Sequence, residues 1–422
     1  MKKDFIFKPP ARQPVGSVLY QEHIKRAASC PMAEFAGYIM PLWFSSISQE
    51  HRAVREAAGL FDCTHMGILQ VSGPQAAEFL EAVCTNWVAD MEVGQARYTF
   101  LLEPTGTVMD DLIIYRRGEQ DFMLVVNAVN EAKVKAYLDG LIQDIWIIDT
   151  ADPERGLGLS PKIRDLRDPA TGPDGMVDIA IQGPRSLEIL EALVDSNSLF
   201  LAQLGPFRFI DCSIQRIPCV VARTGYTGAR IGFELFVQPA KASALWNILS
   251  ERGQQVGLLP CGLGARDSLR IEAGLPLYGR ELAGPYGINP FEAGYGWAVK
   301  TQKPFFIGKT AIAEAASNRQ MQVARVRFPG GKGIRPIRFG DAVLDSAGRC
   351  IGWISSCAST GSEQIGLAYM DSLHCTEGKV IGIYYLAHSQ AQGRQGRPQT
   401  VEKGQQLQAD LQGVVLPRFA RF

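Results

Sequence analysis

Two adjacent carboxylates are the first residues in this chain that could do chemistry. Asp110 and Asp111 sit in Val108-Met-Asp-Asp-Leu112, ahead of a stretch whose branched and aromatic residues predict a strand over Met109 to Arg116. Side chains alternate along a strand, so Asp111 would share a face with Ile113 and Tyr115 while Asp110 points the other way. Aspartate is depleted in strand interiors, so Asp111 is either a strand-end charge or a cleft carboxylate that handles a proton. Glu234 begins another strand, behind the glycine-rich turn Thr224-Gly-Tyr-Thr-Gly228. Taken alone, Glu234 reads as a solvated strand glutamate and Tyr226 as an exposed turn residue. Arg266 and Arg270 lie one helical turn apart with Asp267 beside them, a pattern that a solvated, salt-bridged face also produces.

Other signatures fail on inspection. Ile307-Gly-Lys-Thr310 resembles the tail of a phosphate loop, but Lys303 stands where the leading glycine belongs, which predicts an ordinary turn into a helix. Cys261-Gly-Leu-Gly-Ala265 lacks the third glycine of a dinucleotide fingerprint, and no G-x-S-x-G is present. The five histidines and nine cysteines are dispersed and none forms C-x-x-C, so no metal site is expected and the thiols read as reduced and mostly buried. Lysine plus arginine equals aspartate plus glutamate at 43 each, so no long-range field gathers nucleic acid or an anionic membrane. The start lacks the apolar core of a secretory signal and no apolar run could span a bilayer. A cytoplasmic or, in a eukaryote, mitochondrial-matrix location is expected.

The elements that must position the two acids follow from pattern. At 422 residues the chain should hold two to four packed units. Val71-Ser-Gly-Pro-Gln-Ala-Ala-Glu-Phe-Leu-Glu-Ala-Val83 is echoed by Ile181-Gln-Gly-Pro-Arg-Ser-Leu-Glu-Ile-Leu-Glu-Ala-Leu193. Each reads as a strand end, a glycine turn, proline at the first helical position and an amphipathic helix. Two copies suggest paired α+β lobes rather than a solenoid. Between them lie strand-like Tyr98 to Leu102, Met109 to Arg116 and Phe122 to Asn127, then a helix carrying Val134, Tyr137, Leu138 and Leu141. Strands are expected at Ile217 to Arg223 and Phe233 to Val237, with helices over Lys241 to Arg252 and Gly264 to Ala273. From about Gln322 onward, short strand-like runs alternate with turns, which suggests a small barrel or sandwich. The Gln/Gly/Arg-rich stretch from His388 to Gln399 reads as a surface loop.

Taken together, these segments resemble the folate-binding aminomethyltransferase family, the T-proteins of the glycine cleavage system. The resemblance is carried by Glu34-Phe-Ala-Gly-Tyr-Ile-Met-Pro41, Gly59-Leu-Phe-Asp-Cys-Thr-His-Met-Gly67, Val108-Met-Asp-Asp-Leu112 and Ala222-Arg-Thr-Gly-Tyr-Thr-Gly228 with Gly232-Phe-Glu234. Gly262-Leu-Gly-Ala-Arg-Asp-Ser-Leu-Arg270 and Phe306-Ile-Gly-Lys309 complete it. Each is modest, but their order and spacing from about Leu19 onward make a specific pattern.

The resemblance implies an α+β fold, a three-domain cloverleaf of two related lobes plus a C-terminal β-barrel or jelly-roll-like domain around a central folate channel. Residues 18–66 and 155–300 would form a discontinuous folate-binding lobe, 67–154 a second lobe carrying the catalytic aspartate, and 301–422 the barrel-like domain. It further implies Asp111 as the essential carboxylate, near the reactive folate nitrogens, and Glu234 on the pterin edge, where an amino group and a ring N–H suit a bidentate acceptor. Met66, Tyr98, Tyr115, Val125, Asn127, Tyr226 and Arg266 match folate-lining positions. The implied reaction moves the methylene carbon of an aminomethyl group, carried transiently by a lipoyl (H) carrier protein, to tetrahydrofolate. It releases ammonia and gives 5,10-methylenetetrahydrofolate. Two other activities occur on related chains: demethylation of a small N-, O- or S-methyl compound onto folate, and non-catalytic folate-binding assembly of iron–sulfur proteins. The latter relatives carry Lys-Gly-Cys-Tyr where this chain has Lys303-Pro-Phe-Phe-Ile-Gly308. Departures from the family pattern are Ala229 in place of an acid, Glu103-Pro-Thr-Gly-Thr107 in place of an Asn-containing double-glycine turn, and Tyr38 in place of Trp. The residues before Gly16 and the His388 to Gln399 loop are extra.

Overall fold

The structure, a computed structural model, describes residues 2–26, 30–195, 199–359, 361–387, 397–420 and 422. The chain separates into two compact units, Met1–Arg266 with Ala298–Ile312, and Asp267–Trp297 with Ala313–Phe422.

In the first unit, β1 (Val15–Gly16), β2 (Met32–Phe35) and β3 (Tyr38–Pro41) make a small sheet, with α1 (Tyr20–Arg26) between its strands. Helix α2 (Ile47–Glu56), capped by the Ser46 side chain on the Gln49 N–H, leads into β4 (Ala58–Asp62). The chain then leaves that strand to build a five-stranded antiparallel sheet from β5 (Gly67–Ser72), β6 (Ala96–Leu102), β7 (Val108–Gly118), β8 (Asp121–Val126) and β9 (Lys162–Asp165). Helices α3 (Ala76–Val83) and α4 (Glu131–Ile142) belong to this layer. It next returns to β4 with β10 (Val177–Gln182), β11 (Phe209–Ile214), β12 (Ile217–Ala222), β13 (Gly232–Val237) and β14 (Leu258–Cys261), in the order β11-β12-β13-β10-β4-β14. Helices α5 (Ser186–Glu191), α6 (Leu199–Gln203) and α7 (Pro239–Gln254) accompany this second sheet.

The period-two alternation decides how these layers stack. In the five-stranded sheet, Leu69, Val71, Leu112, Ile114, Leu124 and Val126 pack against Phe79, Leu80, Tyr137 and Leu138 of α3 and α4. In the six-stranded sheet, Ile179, Ile181, Val221 and Leu235 pack against Ile189, Leu245, Trp246 and Leu249. The opposite faces meet each other: Ile68, Tyr115, Met123 and Val125 close on Phe209, Val220, Ala222 and Phe236. Each such buried side chain contributes about 1.5–3 kcal/mol, so both faces of both sheets are strongly specified. Any polar residue on the facing sides is therefore held in a largely dry layer.

The sequence repeat is structural, with one correction. Pro74 and Pro184 sit in the turn before each helix rather than at the first helical position. Ala76 N–H closes on Gly73 O, and Ser186 N–H on Gly183 O, both at 3.0 Å, and the helices start at Ala76 and Ser186.

In the second unit, β15 (Met321–Pro329), β16 (Ala342–Leu344), β17 (Cys350–Ser359), β18 (Glu363–Asp371), β19 (Val380–Tyr384) and β20 (Leu411–Leu416) close a barrel, β15 pairing with both β18 and β20. Closure leaves no free edge. The fold is thus α+β with a six-stranded C-terminal barrel. Helices α8 (Leu263–Ala273) and α9 (Lys309–Ser317) complete the set. α9 starts at the lysine of the false phosphate loop. Residues 388–396 of the expected surface loop lie outside the described residues. All nine cysteines are free thiols.

Candidate active site

Asp111 and Glu234 come from the faces where the sheets meet. The β6–β7 register slips between Leu101 and Leu102, leaving Met109 as an extra residue, and Asp110 and Asp111 follow at once. Such a bulge re-aims the side chains beside it. Asp111, Ile113 and Tyr115 fall on the inter-sheet face, while Asp110, Leu112 and Ile114 turn toward α3 and α4.

Asp111 is half-buried and fixed by two donors. Tyr98 Oη donates to Oδ2 at 2.9 Å, and Asn127 Nδ2 donates to Oδ1 at 2.9 Å. Burial pushes its carboxyl above the usual range, against the pull of those two hydrogen bonds. Asp110, fully buried, accepts from Asn127 N (3.1 Å), Asn127 Nδ2 (2.8 Å) and Asn130 Nδ2 (2.7 Å). Burial, with the neighbouring Asp111 charge behind it, pushes Asp110 up to about 7.

Glu234 lies on the facing side of the other sheet. Phe233, Leu235 and Val237 point to the helices, so Glu234 and Phe236 point to the inter-sheet face. Tyr115 Oη donates to Glu234 Oε2 at 3.3 Å, and the Thr224 hydroxyl donates to the same oxygen. The Tyr115 ring is held edge-on by Phe209 and Phe236, 5.5 and 5.2 Å away. Next to Glu234, the Gln182 amide donates to Thr224 O (3.1 Å) and accepts from Thr227 Oγ1 (2.8 Å), which anchors the Thr224–Gly228 turn. A Cβ on Gly225 or Gly232 would overlap that amide, so both glycines are demanded by close approach.

Arg266 enters from the start of α8. Its guanidinium lies 5.0 Å from the Tyr226 ring and 3.2 Å from Cys63 Sγ. Met66 and Val125 line the apolar layer beside Tyr115. His65 is buried, and desolvation together with the Arg266 charge brings it down to about 3, so it stays neutral. Arg270, for which a solvated, salt-bridged face is one of the readings open in the sequence, is buried. It pairs with Glu281 at 2.6 Å and with Asp267, because the surrounding barrel unit removes it from water.

Sequence reasoning missed Asp178. It lies in β10 between Val177 and Ile179, which face the helices, so it shares the inter-sheet face with Ala180, the cross-strand partner of Glu234. The signal was available: an aspartate inside an apolar run, the same depletion that flagged Asp111. The roles of Gln182 and Cys63 carry no comparable mark. Among the described residues, no group of His, Cys, Asp and Glu is placed to hold a metal, and no helix is long and apolar enough to cross a membrane.

The family model described as the GCVT N-terminal domain matches residues 19–303. An aminomethyltransferase of Streptomyces coelicolor is 40% identical over 84% of this chain and 89% of its own length. Another, from Symbiobacterium thermophilum, is 44% identical over 70% of this chain and 73% of its own. The chain belongs to the aminomethyltransferase family. A crystal structure of the glycine cleavage system aminomethyltransferase T from Bartonella henselae superposes with a TM-score of 0.73 at 27% identity, covering 95% of this chain and 96% of that one. Aminomethyltransferase family membership accounts for the order of the motifs, and the α+β sheets and barrel are the fold that order specifies. Family membership also carries an implication of folate use, which the donor set can be tested against. An acceptor carboxylate (Glu234), a carboxyl with an unpartnered buried oxygen (Asp178) and aromatic edges on one dry face fit a flat, polar-edged heterocycle.

Proposed function

We propose that the face between the two sheets binds tetrahydrofolate and that Asp111 manages the proton traffic of one-carbon transfer there. The chain is a one-carbon transferase of the aminomethyltransferase type, acting in glycine cleavage. One observation carries the site reading: Tyr115, four residues from Asp111 on the same strand face, donates to Glu234 on the opposing sheet. At about 3.3 Å per residue, that spacing sets the Asp111 and Tyr115 backbones roughly 13 Å apart along the strand, with Glu234 at the Tyr115 end of an elongated site.

Each residue then has a task. Glu234 accepts from the donor edge of the heterocycle, prealigned by Thr224 and Tyr115. Met66 and Val125 supply apolar surface, and Tyr226 under the Arg266 guanidinium supplies an aromatic one. When bound, tetrahydrofolate supplies the amine that takes up the carbon. Asp111, raised by burial yet held by Tyr98 and Asn127, keeps a proton available at its carboxylate oxygens, help worth ~10²–10⁴ in rate. In the domain reading this supports, the parts 18–66 and 155–300 hold the heterocycle and 67–154 carries Asp111, although β9 extends that sheet to Asp165.

The carbon donor is an aminomethyl group on the sulfur of a lipoyl carrier protein; the C–S and C–N bonds break, and the products are 5,10-methylenetetrahydrofolate, ammonia and the carrier with its dihydrolipoyl thiol restored. The test is turnover with tetrahydrofolate and aminomethyl-loaded lipoyl carrier beside a panel of N-, O- and S-methyl compounds. Carrier-dependent ammonia release supports the reading. Activity on a methylated compound with none on the carrier replaces it with the demethylase. Arg397, at the described end of the His388 to Gln399 stretch, is committed to Asp410 through two hydrogen bonds of 2.6 Å.

A further inference from the structure

The acid that the mechanism leaves unused is Asp178. It is 2% exposed, and its Oδ1 has no hydrogen-bond partner among the described residues. The carboxyl accepts from the Leu235 backbone N–H, but leaving Oδ1 unpartnered in a dry layer is costly, and leucine of similar volume would pack there at lower cost. Its face is fixed by register. Asp178 pairs with Phe236 and Ala180 pairs with Glu234, so the two acids are diagonal neighbours on adjoining strands, both directed at the inter-sheet layer. Its electrostatic surroundings come from every packed element: Glu234 on β13, Asp62 on β4, Cys63 just after it, Tyr115 on β7 and Arg266 on α8. Burial first, and Glu234's charge next, hold Asp178 well above the carboxylate range. That direction favours the protonated form, in which the unpartnered oxygen has an O–H to donate beside Glu234.

We infer that Asp178 is a second recognition residue of the folate site, its unpartnered buried oxygen donating to an acceptor on the heterocycle edge beside the donors taken by Glu234. Resting on the folate reading above, the pairing of an accepting and a donating carboxyl would read an edge that presents two donors next to a carbonyl. Such an edge is the 2-amino-4-oxo pattern of a pterin. Ionisation of Asp178 would remove the donor and set a second negative charge against Glu234, so affinity should fall as pH rises through its raised pKa.

The experiment is calorimetric titration of the full chain with tetrahydrofolate across pH, together with thermal unfolding, for wild type, Asp178→Asn and Asp178→Leu. Asn keeps a donor that cannot ionise. It should bind within a few-fold of wild type and lose the alkaline decline. Leu should bind roughly tenfold more weakly, the scale of one lost hydrogen bond, while its unfolding midpoint rises. Opposite signs for affinity and stability cannot come from a merely structural residue. If Asp178→Leu binds as tightly as wild type with the same pH profile, Asp178 is not a recognition residue, and the folate reading stands without it. If wild type itself does not bind tetrahydrofolate, both fall.

Discussion

Asp110 and Asp111 point to opposite faces of one strand, yet both are held by the same side-chain amide. Asn127 Nδ2 lies 2.8 Å from Asp110 Oδ1 and 2.9 Å from Asp111 Oδ1. Two carboxyls that alternation separates are therefore joined from the next strand's end. The buried member, Asp110, serves to hold the amide that aims the other, so it is a positioning residue.

Asp111→Asn should bind tetrahydrofolate nearly as wild type and lose at least ~10²-fold in turnover, since shape is kept and proton handling is not. Steady-state rates and calorimetry on the same preparation check this. Equal losses in affinity and rate would make Asp111 a binding residue only.

The pairing has a titration signature. Asp110 is held at about 7 first by burial and then by the Asp111 charge. Asp111→Asn removes that charge, so the Asp110 titration should move downward, while Asp111→Glu leaves it high. Carbon-13 carboxyl shifts followed from about pH 4 to about pH 9 read it directly. Because the folded value lies above the unfolded one, the contribution of Asp110 to stability is present at low pH and lost as pH rises through about 7.

Glu234→Gln presents an amide donor to ligand donors and should weaken tetrahydrofolate binding by roughly 1.5–3 kcal/mol, the range for a hydrogen bond to a charged group. Tyr115→Phe removes only a supporting donor at 3.3 Å and should cost less. Unchanged affinity in Glu234→Gln would take this residue out of the site.

Acid stability isolates a structural pair. Asp62 accepts from Ser17 Oγ (2.5 Å) and contacts His23 Nε2 (2.7 Å). Burial raises it, but the hydrogen bond and charge of His23 outweigh that and hold it at about 2. A depressed carboxyl stabilises above its unfolded value of 3.8 and loses that contribution as pH falls toward about 2. The stability gap between wild type and Asp62→Asn, from urea unfolding, should shrink by up to roughly 2 kcal/mol over that window. A gap constant with pH would deny the pairing.

Gly232→Ala should drive the Gln182 amide away and loosen the Thr224–Gly228 turn, costing about 1–3 kcal/mol for the polar groups left unpaired. Double substitution with Gln182→Ala should recover part of this loss in thermal unfolding. If the losses simply add, the close approach is not the reason for glycine.

The linear chain determined what local chemistry can encode. Alternation put Asp111, Ile113 and Tyr115 on one face of β7, and the run Val134, Tyr137, Leu138, Leu141 set the buried stripe of α4. The repeat marked two strand–turn–helix units, and the order of short motifs identified the family. Tertiary structure decided what depends on residues far apart in sequence. Asp110 looked like a bystander until Asn127 and Asn130 reached it, and a solvated face stayed open for Arg270 until Glu281 paired with it in a buried site. Asp178 was marked in the sequence as an aspartate inside an apolar run, but its neighbour Glu234 appeared only when β10 was laid beside β13, because alternation tells which way a side chain points but not what stands there. Burial raises the energetic stake of every such meeting, and burial is a property of the packed layers, not of any segment within them.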